Sequence, residues 1–121
     1  MISRQKILGG WDLADFYVVN DAGAVVLRPA KPAGRLLYTE DGHVAGSMSS
    51  ATHFLAYFGR YEVHPDRLIH RIDVASDANL VGNATPRLAR FEDEDLVLGS
   101  SPSILGGPGT TAEIRWRRLT G

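Results

Sequence analysis

One histidine on a strand-like segment is the side chain in this sequence best suited to proton chemistry. It is His70, in the segment LIHRIDV that runs from Leu68 to Val74. Alternate residues of a strand point to opposite faces of a sheet, so the charged residues Arg71 and Asp73 are predicted to face solvent. The interior face is then predicted to consist of Leu68, His70, Ile72 and Val74. His70 thus occupies a position where the pattern favours an aliphatic residue.

A histidine in an apolar interior has two interpretations. Burial lowers the pKa of an imidazole and favours its neutral form, which can accept a proton near neutral pH. Tyr38 and Tyr61 could then donate hydrogen bonds to a carbonyl or developing enolate oxygen, with His70 as the acid–base. Proton transfer next to a carbonyl is the chemistry of isomerisation and cyclisation. In the alternative interpretation, a neutral His70 only hydrogen-bonds a tyrosine hydroxyl within the core.

The elements that must position these side chains are short strands. Strand-like runs rich in aromatic and β-branched residues recur about every ten residues and are separated by turn residues such as Asp41-Gly42. They predict eight or nine strands joined mostly by short turns, which is typical of an antiparallel up-and-down meander. An eight-stranded meander closes into a barrel that has no edge strands. Helices are predicted only at Arg4 to Leu8 and at Ser49 to Leu55, and both are short.

The alternation within each run predicts an apolar lumen with a few polar side chains, which is the composition of a small-molecule pocket. Catalytic roles are predicted for His70, Tyr61 and Tyr38. The residues predicted to contact a ligand are Tyr57, Met48, Leu36, Leu68, Ile72, Leu98 and Trp116.

Length and composition exclude several other functions. The 121 residues predict one domain, residues 1–121, and the net charge of -1 gives no general attraction to nucleic acid or to an anionic membrane. The chain has no cysteine. The other histidines, His43, His53 and His64, fall on different segments, so neither a metal nor a cofactor is predicted. No signal sequence or membrane span is recognisable, so a cytoplasmic location is expected.

Several short motifs follow one another along nearly the whole chain. They are Gly9-Gly-Trp11, Gly34-Arg-Leu36-Leu-Tyr38-Thr-Glu-Asp-Gly42, Tyr57-Phe-Gly59-Arg-Tyr61, His70, Asn79-Leu-Val-Gly82 and Trp116-Arg-Arg118. Their order and spacing resemble those of the bacterial and fungal lipocalin-like domain family. The sequence departs from that family where no proline precedes Asn79, and in a Gly-rich loop, residues 101–112, before the last strand.

The resemblance implies an all-β, antiparallel lipocalin-like barrel with an apolar cavity. In lipocalin and fatty-acid-binding barrels an arginine from the last strand covers the tryptophan that begins the first strand. Trp11 and Arg118 are accordingly expected to form a structural floor, because an indole face attracts a guanidinium. Some calycin-like barrels from natural-product pathways also catalyse isomerisation or cyclisation without a cofactor.

Three functional hypotheses follow. The first is a cofactor-free isomerase or cyclase acting on a polyketide-like or otherwise amphipathic molecule. The second is a carrier or sequestering protein that uses the same pocket without chemistry. The third is a filled barrel that serves as an interaction module. A homodimer is a plausible assembly for a barrel of this size.

Overall fold

Nine strands and two single helical turns are found in the part of the chain that the computed structural model describes, residues 2–100 and 109–119. The helical turns are α1 (Arg4–Ile7) and a 3₁₀ turn (Ala78–Leu80). The strands are β1 (Gly9–Asn20), β2 (Val25–Leu27), β3 (Ala33–Tyr38), β4 (His43–Ser49), β5 (Phe54–Val63), β6 (Arg67–Ala75), β7 (Ala84–Glu92), β8 (Asp95–Ser100) and β9 (Thr110–Arg118).

The structure retains part of the first predicted helix and contradicts the second. The N-terminal helix is reduced to the four residues of α1, one turn without a side-chain cap. The second predicted helix, Ser49 to Leu55, is wrong. Ser49 ends β4, the Ser50 amide donates to the His53 carbonyl at 2.9 Å across a turn, and Phe54 begins β5. A helix this short has too few internal hydrogen bonds to compete with the strand pairing on either side.

Antiparallel pairing of β1 with β9 closes the sheet. Each strand from β3 onward pairs with the next, and β1 pairs with β9 from Trp11–Arg118 to Asn20–Thr110. β3 pairs with the first residues of β1, whereas β2 pairs only with Val18 and Val19 near the end of β1. The result is an eight-stranded closed barrel, β1 and β3 to β9, with β2 as one extra strand.

A bulge between β5 and β6 changes the side-chain alternation of the His70 strand. Phe58 pairs with Val74, but the next residue, Gly59, pairs with Ile72, so Asp73 is left over on β6. An extra residue reverses the alternation beyond it. The prediction that Val74 faces inward is therefore wrong, and its side chain is 60% exposed beside the equally outward Phe58.

The main core closes one end of the barrel. Trp11 is fully buried there, its indole N–H donates to the Ile7 carbonyl at 2.9 Å, and the guanidinium carbon of Arg118 lies 4.1 Å from its ring centroid. Arg118 also donates to the backbone carbonyls of Lys6 and Leu8. The buried residues of this cluster are Ile2, Ile7, Trp11, Leu36, Tyr38, Val44, Tyr61, Leu68, Leu96, Leu98 and Trp116.

Two further observations concern the chain as a whole. Among the described residues, no helix has the length and apolar character needed to cross a membrane. The Gly-rich loop predicted before the last strand falls mostly on residues 101–108, which lie outside the described residues.

Candidate functional site

An open cavity occupies the lumen above the main core. Its volume is about 310 Å³, at the low end of the range of roughly 300–1,000 Å³ that is usual for small-molecule sites. Most of its wall is apolar. The polar residues that line it come from several strands and turns, namely Ser47, Ser49, Ser50, His53, Tyr57, His70, Asp77, Arg87 and Ser100. The principal apolar side chains that line it are Phe16, Leu36, Met48, Leu55, Leu98, Ala112, Ile114 and Trp116.

His70 is held between two tyrosines. It is 1% exposed, its Nε2 lies 2.8 Å from the Tyr38 hydroxyl, and its Nδ1 lies 2.7 Å from the Tyr57 hydroxyl. Burial lowers the pKa of His70 to about 3, and the positive charge of Arg87 contributes in the same direction. The imidazole is therefore neutral at physiological pH.

The tyrosine partners determine which ring nitrogen carries the proton. A neutral imidazole has one N–H donor and one acceptor nitrogen. Tyr38 is buried, and its hydroxyl has His70 Nε2 as its hydrogen-bond partner within the described residues. Burial also raises the pKa of Tyr38 well above its usual value, so this hydroxyl keeps its proton and donates it to Nε2. Nδ1 then bears the hydrogen and donates to Tyr57.

This arrangement leaves the O–H of Tyr57 available. Its oxygen accepts from His70, and its own hydrogen has no acceptor among the described residues. Tyr57 lines the cavity, whereas Tyr38 does not. The chain Tyr38–His70–Tyr57 therefore presents one hydrogen-bond donor to a molecule in the lumen.

The sequence interpretation placed Tyr61 in contact with a ligand. In the structure, Tyr61 lies below the cavity, toward the closed end of the barrel. Its hydroxyl donates to the Thr39 carbonyl at 2.7 Å, and its ring meets that of Tyr38 edge-on with centroids 5.0 Å apart. Arg4 covers the outer side of the ring, with its guanidinium carbon 5.4 Å from the centroid. Tyr61 is not among the residues that line the cavity.

The structure divides the predicted ligand-contacting set. Five of its members line the cavity, namely Tyr57, Met48, Leu36, Leu98 and Trp116. Leu68 and Ile72 are buried but do not line it.

Sequence reasoning overlooked Arg87, which lines the cavity from β7. It pairs with Leu68 across the sheet, so both side chains point into the barrel. The sequence does contain a signal. Arg87, Ala89 and Phe91 share one face of β7, and Phe91 packs against the buried Trp11 with ring centroids 6.4 Å apart. The alternation is hard to recognise in the sequence, because the apolar residue Leu88 lies on the opposite, exposed face of β7.

Two further features bear on what the lumen can hold. The indole Nε1 of Trp116 is buried and has no hydrogen-bond partner in the described part of the chain. No group of three or more His, Cys, Asp or Glu side chains in residues 2–100 and 109–119 is arranged to hold a metal ion.

The comparison with known families agrees with the barrel fold. A family model for a lipocalin-like domain matches residues 47–119, which is more than half of the chain. The matched segment runs from within β4 through β9 and includes Tyr57, His70 and Arg87. No curated protein matches the sequence significantly. The resemblance drawn from the order of the motifs is confirmed at the level of the family.

Proposed function

We propose that this chain, which belongs to the lipocalin-like domain family, binds one small, largely apolar or amphipathic molecule inside its barrel. The observation that carries this proposal is the open, mostly apolar cavity, into which the free hydroxyl donor of Tyr57 points. A filled barrel would have no such space, so the interaction-module hypothesis receives less support. Apolar burial would supply most of the affinity, and the few polar groups would orient the ligand.

A neutral fluorescent probe, N-phenyl-1-naphthylamine, tests the proposal. We expect saturable binding with one site per chain. Gly46→Leu should lower the affinity at least about tenfold, because a Cβ at Gly46 meets Tyr57 and Leu36 at 3.4–3.6 Å and the added methyl groups extend into the lumen. The matched control is Ala45→Leu, which adds a similar side chain to the outer face of β4.

The outcomes separate the lumen from the surface. Binding that is weakened by Gly46→Leu and retained by Ala45→Leu supports the proposal. Absence of saturable binding, or equal affinity in all three proteins, overturns it.

A cofactor-free isomerase or cyclase is the second candidate, and the hydrogen-bonded chain that ends at Tyr57 favours it. A donor in an apolar cavity can stabilise charge that develops on a substrate oxygen. His70 is a weak base here, because both ring nitrogens are hydrogen-bonded and its pKa is about 3. Tyr38 and Tyr61 would support the site from below rather than touch a substrate. A carrier or sequestering role therefore ranks first.

Deuterium exchange at the acidic carbon of a 1,3-diketone, 2-acetylcyclohexanone, tests the enzymatic candidate by NMR. Exchange faster than in buffer, and lost in His70→Gln and Tyr57→Phe, would support proton transfer in the lumen. A rate equal to that of buffer, with the probe bound, would favour the carrier. The cytoplasmic location and the homodimer stay predictions.

A further inference from the structure

We propose that Arg87 makes the lumen selective for amphipathic anions, and that the preferred ligand carries one carboxylate. This inference rests on the proposed function, because it names the chemical class of the molecule that the cavity holds. Arg87 would bind the carboxylate, Tyr57 would donate a hydrogen bond to it, and the apolar wall would cover the rest of the molecule.

The position of Arg87 follows from the register of β6 and β7. Leu68 pairs with Arg87, and His70 pairs with Thr85, two residues earlier on β7. Paired residues share a face, so Arg87 lies inside the barrel and diagonal to His70. Its side chain is partly buried and lines the cavity. The guanidinium and the Tyr38–His70–Tyr57 chain thus face the same lumen.

Arg87 differs from the other arginines of the chain. Arg4 and Arg118 donate to backbone carbonyls, at Glu40 and at Lys6 and Leu8 respectively. Most others form ion pairs on the outer surface, as seen for Arg28, Arg35, Arg60, Arg67, Arg71, Arg90, Arg115 and Arg117. Within the described residues, Arg87 has neither an ion pair nor a hydrogen bond from its guanidinium.

The part of the cavity wall formed by the described residues does not supply an anion paired with Arg87. Among the described residues, Asp77 is the one carboxylate that lines the cavity, and no ion pair joins it to Arg87. The Asp77 side chain accepts a hydrogen bond from the Asn79 amide at 3.0 Å and caps the 3₁₀ turn. Arg87 is therefore a cation in a mostly apolar cavity without an anionic partner among the described residues.

An unpaired charge in such an environment is unfavourable, and an anionic ligand would remove the penalty. A guanidinium presents a planar fork of N–H donors that matches the two oxygens of a carboxylate. The charge already acts on the neighbouring groups, since it opposes protonation of His70 and lowers the pKa of Tyr38 against the larger effect of burial. The free O–H of Tyr57 supplies a second donor of the kind that a carboxylate accepts.

Isothermal titration calorimetry with decanoate and decanol at pH 8 tests the inference. The two probes share an alkyl chain and differ in the charge of the head group. We expect the wild-type protein to bind decanoate at least about tenfold more tightly than decanol. Arg87→Met should abolish this preference and leave the affinity for decanol within about threefold of wild type.

Two further variants keep the test decisive. Arg60→Met removes one positive charge from the outer face of β5, where Arg60 is paired with Asp73, and should retain the preference for decanoate. Arg87→Lys keeps the charge without the planar fork and should retain only part of the preference. Thermal melts of all variants check folding, and Arg87→Met should melt no lower than wild type, because it removes an unpaired cation.

The possible results distinguish this inference from the proposed function. If decanol binds but decanoate binds no more tightly, or if Arg87→Met keeps the preference, the assignment of Arg87 is wrong while the ligand-binding barrel stands. If neither probe binds and N-phenyl-1-naphthylamine does not bind either, the proposed function fails and the inference fails with it.

Discussion

Tyr38 and Tyr57 occupy both ring nitrogens of His70, and this contact explains how a polar residue persists in the apolar face of β6. A buried imidazole without partners would be strongly destabilising, whereas one with both nitrogens hydrogen-bonded is satisfied. The hydrogen bond from His70 also holds the Tyr57 hydroxyl at the wall of the lumen, where its own hydrogen can be donated to a ligand. At the scale of the residue, we therefore propose that His70 positions the Tyr57 hydroxyl.

The titration of His70 should be visible in the stability of the protein. Its pKa is about 3 in the folded state against 6.5 for an ordinary histidine, so between these pH values the unfolded chain binds a proton that the folded chain does not. Stability from this source is fully present above about pH 6.5 and falls as the pH drops toward 3, by about 1.4 kcal/mol per pH unit. Urea denaturation at a series of pH values measures this slope.

His70→Gln is the reference for that measurement, because glutamine keeps hydrogen-bonding capacity and does not titrate. The difference in unfolding free energy between wild type and variant should be constant above pH 7 and should shrink below pH 6. A difference that stays constant down to pH 4 would show that the folded protein accepts a proton on His70 without penalty.

At the scale of the element, the bulge between β5 and β6 determines where the inward pattern of the His70 strand ends. The two strands approach closely there, and Gly59 makes this approach possible. A Cβ on Gly59 would lie 1.8 Å from the Arg71 carbonyl oxygen and 2.8 Å from its carbonyl carbon. Backbone atoms cannot move aside as the end of a flexible side chain can, so the site requires glycine.

Gly59→Ala is therefore expected to destabilise the barrel strongly, by about 3 kcal/mol or more. Gly99→Ala on β8 is the matched control, because the nearest atoms to a Cβ there lie 3.7 Å away or farther. This control should change the free energy of unfolding by less than about 1 kcal/mol. Equal effects in a denaturant titration would contradict the role assigned to the close approach at the bulge.

At the scale of the whole molecule, the first and last strands close the barrel and also seal its lower end. Arg118 from β9 lies over the Trp11 ring and donates to the carbonyls of Lys6 and Leu8 before β1. One side chain thus links the two ends of the described chain through three contacts. The cavity stays above this floor, so changes to the floor should affect stability more than ligand binding.

Arg118→Gln tests this separation. The loss of the cation–π contact and of the carbonyl hydrogen bonds should lower the free energy of unfolding by about 1–2 kcal/mol, with little change in probe affinity. Arg117→Gln is the neighbouring control, since it breaks only a surface ion pair with Asp95 and should lower it by less than about 1 kcal/mol. A larger loss in Arg117→Gln, or a loss of probe binding in Arg118→Gln, would contradict the assignment.

The sequence alone determined the features that depend on local pattern. Alternation along each run predicted the strands and placed His70 toward the interior, and the short turns predicted an antiparallel meander. The order of the motifs indicated the lipocalin-like domain family, and the ends of the chain suggested that Trp11 and Arg118 meet. The strands, the meander and the inward position of His70 follow from side-chain periodicity and turn chemistry, which act over a few residues, whereas the family and the Trp11–Arg118 contact were expected from the resemblance.

Only the tertiary structure decided the features that depend on pairing between distant segments. The register of β5 against β6 created the bulge that turned Val74 outward. Tyr38, Tyr57 and Tyr61 all point into the barrel, but they lie at different levels along its axis. Of the three, only Tyr57 lines the cavity, and Tyr61 donates to the Thr39 carbonyl. Arg87 has no ion pair within the described residues because of the side chains that several other strands place around it. Periodicity tells which face a side chain takes, and it carries no information about which side chains from other strands meet it there.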